Sequence, residues 1–586
     1  MHLAPVDIAI IIVYLIATMA IGTAFQRRAS KKLDAYYLAN RQATWWMIGL
    51  SGCSSYVDIG GTMLIIGVMF YTGLKSIWII HFGWGFFGMA MFMAFQAKYI
   101  RRSGVMTPAE WMETRFGKGR ETEILRTIIA AFILLSMMLM LIYVAVGTGK
   151  FVEEFVPLPR WESTLILFIV VGIYVTLGGF FGVIWTDLFQ TLLIMVGAVL
   201  MTIAALQLPD GLSALAARSP GWDSLAIPWN LWPDYTSTVP AQFHQYAPLG
   251  PYLGASLLWL AYKLLLGPFG WDFAFFLTTK SPREASLSAG MWTLGHTVRW
   301  LVAGSFLTFG VYYLGTGASF DAEKIMPLVV KSMPAGIAGL VMAVLLAALM
   351  STLSAIINVS SNVVLNDFLK RYVARKMSES SLVHLGMIVS SLVIIIGFAM
   401  SFMYDSIIAA WEMLLYVMLT VVLVPGTLRW HWWRFGARAF IWSMLGSAIV
   451  VGVHKLFLDF LPLHEAILFL MTASTVVTVV ITYLTPAADM ESLVAFYARV
   501  RPFGFWKPVR EEAERRGLIP VNDPMPRMDI LNGFIAAFFQ LCLGILPFYM
   551  FLKNWTQAGL WAAVTLIVAI VLYFTWYKNL PSADEI

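Results

Sequence analysis

Tyr174 to Gln190 reads YVTLGGFFGVIWTDLFQ, in which a Gly178-Gly179 pair and a Trp185-Thr186-Asp187 triplet stand between two long apolar runs. The glycine pair marks a bend, because glycine enters backbone conformations that side chains forbid. The aspartate is harder to place. At the centre of a membrane a charged side chain costs about 2.5–3.5 kcal/mol on insertion scales, so Asp187 reads as part of an ion or proton path.

Membrane depth follows from the rest of the chain. Its 586 residues are 60% hydrophobic and 12% charged, with a mean hydropathy of +0.78, outside the range of soluble domains. Runs of about 20 apolar residues, each able to cross a hydrocarbon core as a helix, fall at 5-25, 44-70, 76-97, 124-152, 162-179, 181-206, 250-277, 286-314, 334-369, 382-403, 406-428, 438-459, 464-485, 529-551 and 555-577. Fifteen spans are thus predicted. With the N-terminus outside, 29 of the 39 Lys and Arg residues fall in inner loops, the asymmetry expected of cytoplasmic loops. This places the N-terminus outside and the C-terminus in the cytoplasm of a bacterial-type inner or plasma membrane. The net charge of +6 is accounted for by those loops, so nucleic acid is not expected as a partner. Cys53 and Cys542 match no metal or redox spacing. The first run lacks a basic flank ahead of it and is followed by Arg27-Arg28, so it reads as a retained span and not a cleaved signal.

An all-α integral membrane fold is the economical solution, since backbone left unpaired in lipid is costly. The segments group as an N-terminal span and loop (1-43), a first set of five spans (44-206), an extracellular loop (207-249) and a second set of five (250-428). Two further spans (429-485), a cytoplasmic loop (486-527) and a C-terminal two-span hairpin (528-586) follow. Sets of five, an odd number, must lie in opposite orientations, which is an inverted repeat. Polar and Gly residues are expected to interrupt the second segment, at Ser51-Gly52-Cys53-Ser54-Ser55 and Asp58-Ile59-Gly60-Gly61, and the ninth, at Ser351-Thr352-Leu353-Ser354 and Asn358. Broken helices at related places in two halves point to a transporter site. On a helical ninth segment, the Ala348 carbonyl and the Ser351 and Thr352 hydroxyls share a side. Neutral oxygens of this kind suit a hard cation.

Several blocks resemble the sodium:solute symporter family: DAYYLANRQATWWMIGLS at 34-51, IYVTLGGFFGVIWTDLFQTLLIMVGA at 173-198, KSPREA at 280-285, AALMSTLSAIINVSSNVVLNDFLKRY at 347-372 and LRWHWWRFGARA at 428-439. The resemblance implies a LeuT-type five-plus-five inverted repeat with one extra N-terminal and about four C-terminal helices. It also implies a main sodium site built from carbonyls of Ser54, Val57 and Ala348 and hydroxyls of Ser351 and Thr352. A second sodium would use Asp187, Ser351 and Ser354, although Ala355 stands where a further serine would help.

The family's sugar-binding pattern is missing. Gly60-Gly61 replaces a Glu-Gln pair, Tyr262 stands at an asparagine position, Leu265 at a gating tyrosine and His296 at a lysine, and GPFGWDFAFF at 267-276 lacks the expected amide and arginine pairs. Asp58, next to the predicted sodium carbonyl of Val57, is placed to pair a cationic solute. Solute-contacting candidates are therefore Asp58, Gly61, His81, Tyr262, His296 and Glu412, while Asp272 is expected to pair with Lys263 or Arg299. The chain reads as a sodium-coupled symporter importing a small polar solute, amine-bearing or zwitterionic. The alternatives are a sugar or carboxylate symporter of the same family, or a membrane sensor signalling through 486-527. Nothing in the sequence supports an enzyme or an organic cofactor; sodium is the expected coupling ion, and the bilayer and a small solute are the expected partners.

Overall fold

The computed structural model describes residues 3–155, 159–209, 211–218, 221–232, 239–315, 324–403, 407, 411, 414 and 419–582. Among these residues there are helices and no β-strand, only two isolated bridges, Ala43 with Thr279 and Trp432 with Phe505. The principal helices are α1 (Pro5–Thr23), α2 (Trp45–Ser55), α3 (Ile59–Thr72), α4 (Arg120–Val152), α5 (Arg160–Gln207), α6 (Leu249–Leu266), α7 (Pro282–Leu314), α8 (Ile337–Val363) and α9 (Glu379–Met400). They are followed by α10 (Leu419–His431), α11 (Ala437–Phe457), α12 (Leu463–Leu484), α13 (Met490–Val500), α14 (Lys507–Arg515), α15 (Met525–Phe551) and α16 (Trp555–Thr575). Eleven helical stretches among the described residues are long and apolar enough to cross a membrane. One of them, Trp161–Gln207, holds two of the predicted segments. Its bend is at Gly179, whose φ of 52° and ψ of −156° lie where a side chain is strained.

The centre of the molecule is α8, buried along nearly its whole length and packed on α5, while α2 lies between α5 and α7. Small residues allow α1 to approach α5 closely. Gly178 and Gly182, one turn apart on α5, both face the Gly22 carbonyl of α1, and a Cβ at position 182 would come within 2.6 Å of that oxygen. Close approach through small residues is how helices pack where lipid removes the hydrophobic drive. The KSPREA block has a local task as well. Ser281 caps α7 by accepting from the Glu284 amide at 3.3 Å, Pro282 opens the helix, and Glu284 Oε2 accepts from the Trp45 amide at 2.5 Å, which caps α2.

Two interruptions matter for function. The first, at residues 56–58, separates α2 from α3 as expected. The second is not in the ninth segment, because α8 runs unbroken from Ile337 to Val363. Its hydroxyls return to the helix: Thr352 Oγ1 lies 3.1 Å from the Ala348 carbonyl and Ser354 Oγ donates to the Ser351 carbonyl at 2.9 Å. Serine and threonine bonded in this way stay in a continuous helix. The break falls instead at 267–270, after α6, where Gly267 has a φ of 77° and Pro268 lacks an amide hydrogen. Each of the two sets of five therefore begins with a broken helix.

The 486–527 segment is docked on the bundle and contains α13 and α14. Arg115, fully buried, donates to the carbonyls of Arg429 (2.6 Å), Trp432 (3.1 Å) and Phe435 (3.3 Å) and lies against the rings of Phe116, Phe496 and Trp506. Burial lowers its guanidinium to about 9.

Replacing Gly182 by Leu forces α1 from α5 and is expected to destabilise the protein by about 1–3 kcal/mol. Gly254→Ala, at a position with open space around it, is expected to leave thermal unfolding in detergent unchanged or slightly raised.

Candidate functional site

At the end of α2, two adjacent serines, Ser54 and Ser55, face α8. Ser351 Oγ lies 2.7 Å from Ser54 Oγ and 2.9 Å from Ser55 Oγ, and Thr352 Oγ1 lies 3.0 Å from the Ser55 carbonyl. Ser54, Val57, Ala348, Ser351 and Thr352 are all buried. The structure thus brings Ser54, Ala348, Ser351 and Thr352 together. The carbonyl that meets α8 is that of Ser55, because the Ser54 carbonyl accepts from the Val57 amide at 3.1 Å and closes the last turn of α2. Ser55 was missed by sequence reasoning, although it lies within the polar run that marked the break. The oxygens assembled here are neutral hydroxyls and carbonyls, a donor set that fits sodium in charge and hardness.

Asp187, on α5 beyond the Gly179 bend, is fully buried. It accepts from the Ser51 hydroxyl and is within hydrogen-bonding reach of Ser351, while its Oδ1 has no partner among the described residues. A buried carboxylate oxygen left open beside a cluster of hydroxyls suits a cation better than it suits packing. Ser51 links the two groups of oxygens, a role absent from the expected set. Ser354 lies one turn along α8, its hydroxyl bonded to the Ser351 carbonyl.

Asp58 differs from expectation. It caps α3, accepting from the Gly61 amide at 2.6 Å and from Tyr143 OH at 2.8 Å through Oδ2, and pairs with Arg299 Nη2 at 2.9 Å through Oδ1. Arg299 Nη1 donates to the Tyr56 carbonyl at 2.8 Å. The carboxylate foreseen as the partner of an ammonium is therefore already matched by a cation from α7. The same pair explains Gly61: a Cβ there would run into Arg299 Nη2 and come within 2.9 Å of Tyr143 OH. The arginine occupies the volume that a side chain at 61 would need, while a Cβ at 60 would come within 3.3 Å of Tyr143.

His81 and His296 face one another with ring centroids 6.4 Å apart, and both lie near Trp300. His81 Nδ1 is 2.8 Å from the Ile77 carbonyl, whereas His81 Nε2 and both His296 ring nitrogens lack partners among the described residues. Phe86 joins this pair to Arg299, standing 5.6 Å from the His296 ring and 5.3 Å from the guanidinium carbon. Tyr262 is directed elsewhere: its hydroxyl accepts from Thr475 of α12 at 2.9 Å, so it links α6 to α12. Glu412 lies outside the described residues. Asp272 accepts from the Gly270 and Phe273 amides at 3.1 and 2.9 Å and attracts Lys263 without closing to an ion pair. Of the two partners expected for it, Arg299 is committed to Asp58.

A family model described as SSF: Sodium:solute symporter family matches residues 36–446. Sodium/glucose cotransporter 4 of Danio rerio is 33% identical over 207 residues, covering 34% of this chain and 30% of that protein. A sodium/mannose cotransporter of Bos taurus is 26% identical over 373 residues, covering 59% and 60%. The match spans less than two thirds of either relative. Among solved structures, a Na+-coupled sialic acid symporter in a substrate-bound outward-open state is similar in fold, with a TM-score of 0.67, 20% identity, and coverage of 83% of this chain and 99% of that one.

Removing one member of the Asp58–Arg299 pair leaves a buried charge unpaired. Arg299→Gln or Asp58→Asn alone is expected to cost about 3–5 kcal/mol in thermal or denaturant unfolding, and the double substitution less than the sum. Additive losses would mean that the two side chains do not depend on each other.

Proposed function

Because this chain belongs to the sodium:solute symporter family, we propose that it imports a small polar organic solute, driven by sodium, by alternating access around the 56–58 and 267–270 interruptions. It is an all-α, multi-pass membrane protein of the LeuT type, and the reading places its N-terminus outside and its C-terminus in the cytoplasm of a cell membrane. The observation that carries the proposal is the convergence of Ser54, Ser55, Ser351 and Thr352 oxygens where α2 ends against α8. Sodium held there ties the end of α2 to α8 and so favours one arrangement of the two. The buried carboxylate of Asp187 one layer away supports a second sodium or an exit step for the first. One charge moving through about 100 mV contributes roughly 2.3 kcal/mol and a tenfold gradient about 1.4 kcal/mol. One sodium then supports accumulation of roughly 500-fold.

The spare hydrogen-bonding capacity near the first interruption favours an acceptor-rich solute. Asp58 is saturated by three donors, and Asp272 accepts from two backbone amides. Arg299 Nε, Trp259 Nε1 and Trp411 Nε1 have no acceptor among the described residues, and Lys263 makes no hydrogen bond among them. Two cations and two indole N–H groups with capacity left over suit a carboxylate with hydroxyl or carbonyl groups, including one within a zwitterion, better than a simple amine.

In proteoliposomes, a panel of labelled carboxylates, amino acids, sugars and amines is expected to yield uptake only with an inward sodium gradient, and potassium will not replace sodium. Ser351→Ala with Thr352→Ala is expected to raise the half-saturating sodium concentration about tenfold or more. Lys263→Gln is expected to weaken solute-dependent stabilisation while sparing stabilisation by sodium. Uptake that ignores sodium, or a sodium response untouched by the double substitution, would overturn the mechanism.

A further inference from the structure

The sodium and solute readings leave one buried cluster unused, at the cytoplasmic end of the bundle. Arg429, in the last turn of α10, has no exposed surface. Its guanidinium carbon lies 4.5 Å from the Phe269 ring, 4.7 Å from the Trp111 ring and 5.5 Å from the Trp430 ring. Its Nε, Nη1 and Nη2 all lack acceptors among the described residues, as do the neighbouring Arg115 Nη1 and Trp111 Nε1. Other buried cations have acceptors: Arg101 and Arg102 donate to the carbonyls of Thr279, Lys280 and Val500, and three further cations face carboxylates. Lys98 pairs with Asp529, Arg126 with Asp367 and Arg299 with Asp58, whereas no described carboxylate acts on Arg115 or Arg429.

Arg115 has a structural use for its remaining N–H groups, which hold three carbonyls around the end of α10. Arg429 has none. Ring faces attract a cation but supply no lone pair to its N–H groups, so the aromatic walls leave the guanidinium's donors unused. Buried donors gathered with no acceptor and no counter-charge are the inverse of the sodium site, and the species they select is an anion.

We propose that Arg429 holds a monovalent anion at the inner end of the transport path, either an inorganic halide or the carboxylate of a small organic acid. One wall of the site, Phe269, belongs to the 267–270 interruption, so movement of that segment opens or closes the anion's surroundings. An anion seated there favours the closed inner end, and its departure accompanies inward opening. If the carboxylate belongs to the solute, Arg429 is its last contact before release. The site does not depend on sodium coupling.

The test uses the purified full chain in detergent at constant sodium and ionic strength, starting from methanesulfonate as the only anion. Replacing it with chloride or with acetate is expected to raise the thermal midpoint by about 2 °C or more at saturation. A chloride response identifies an inorganic halide, and a response to acetate alone identifies a carboxylate. Arg429→Gln is expected to abolish the response, while Arg438→Gln, which removes a surface partner of Glu121, keeps it. No response to either anion, or an equal response in Arg429→Gln, overturns the proposal. Should Arg429→Gln fail to fold, hydrogen exchange of the unaltered protein decides: anion-dependent protection is expected at 267–270 and 429–435, and protection confined to other segments overturns the site.

Discussion

A helix broken inside a membrane exposes backbone groups that lipid cannot satisfy. In this protein the break at 56–58 is closed by one ion pair. Asp58 takes the Gly61 amide at the start of α3, Arg299 gives a hydrogen bond to the Tyr56 carbonyl, and the two side chains neutralise each other at 2.9 Å. Both sides of the interruption are thereby held by the two side chains of this pair. The arrangement excludes any side chain at position 61, because the guanidinium stands in that space.

With the break held open, the end of α2 can present Ser51, Ser54 and Ser55 to its neighbours. Ser54 and Ser55 meet Ser351 of α8, and Ser51 meets Asp187 of α5. The continuity of α8 matters here, since an unbroken central helix keeps Ala348, Ser351 and Thr352 in one register. At the second interruption, 267–270, Asp272 caps the short helix that follows.

Much of this was legible along the chain because it is local. The polar run 51–55 followed by Asp58 and two glycines announced a break, and the Ala348, Ser351 and Thr352 spacing placed three oxygens on one side of a helix. Asp187 was legible from its cost at membrane depth. The ninth segment was misjudged as interrupted because serine and threonine look like breakers in sequence yet bond back to their own helix. The true second break had a stronger local signal, Gly267-Pro268 with Gly270. Tyr262 and Asp58 were misread for another reason: their partners, Thr475 and Arg299, lie 213 and 241 residues away.

The sequence by itself determined an all-helical membrane chain, the break at 56–58, the bend at Gly178-Gly179 and the residue types of the hydroxyl cluster between α2 and α8. Each of these follows from hydropathy, backbone freedom or periodicity over a few turns. Only the tertiary structure decided which charges are spent and which remain free. Asp58 is matched by Arg299, Lys263 makes no hydrogen bond among the described residues, and Arg429 is buried among aromatic rings with no described acceptor. A charge's role depends on what reaches it through a low-dielectric interior, and that is set by packing between helices far apart in the chain.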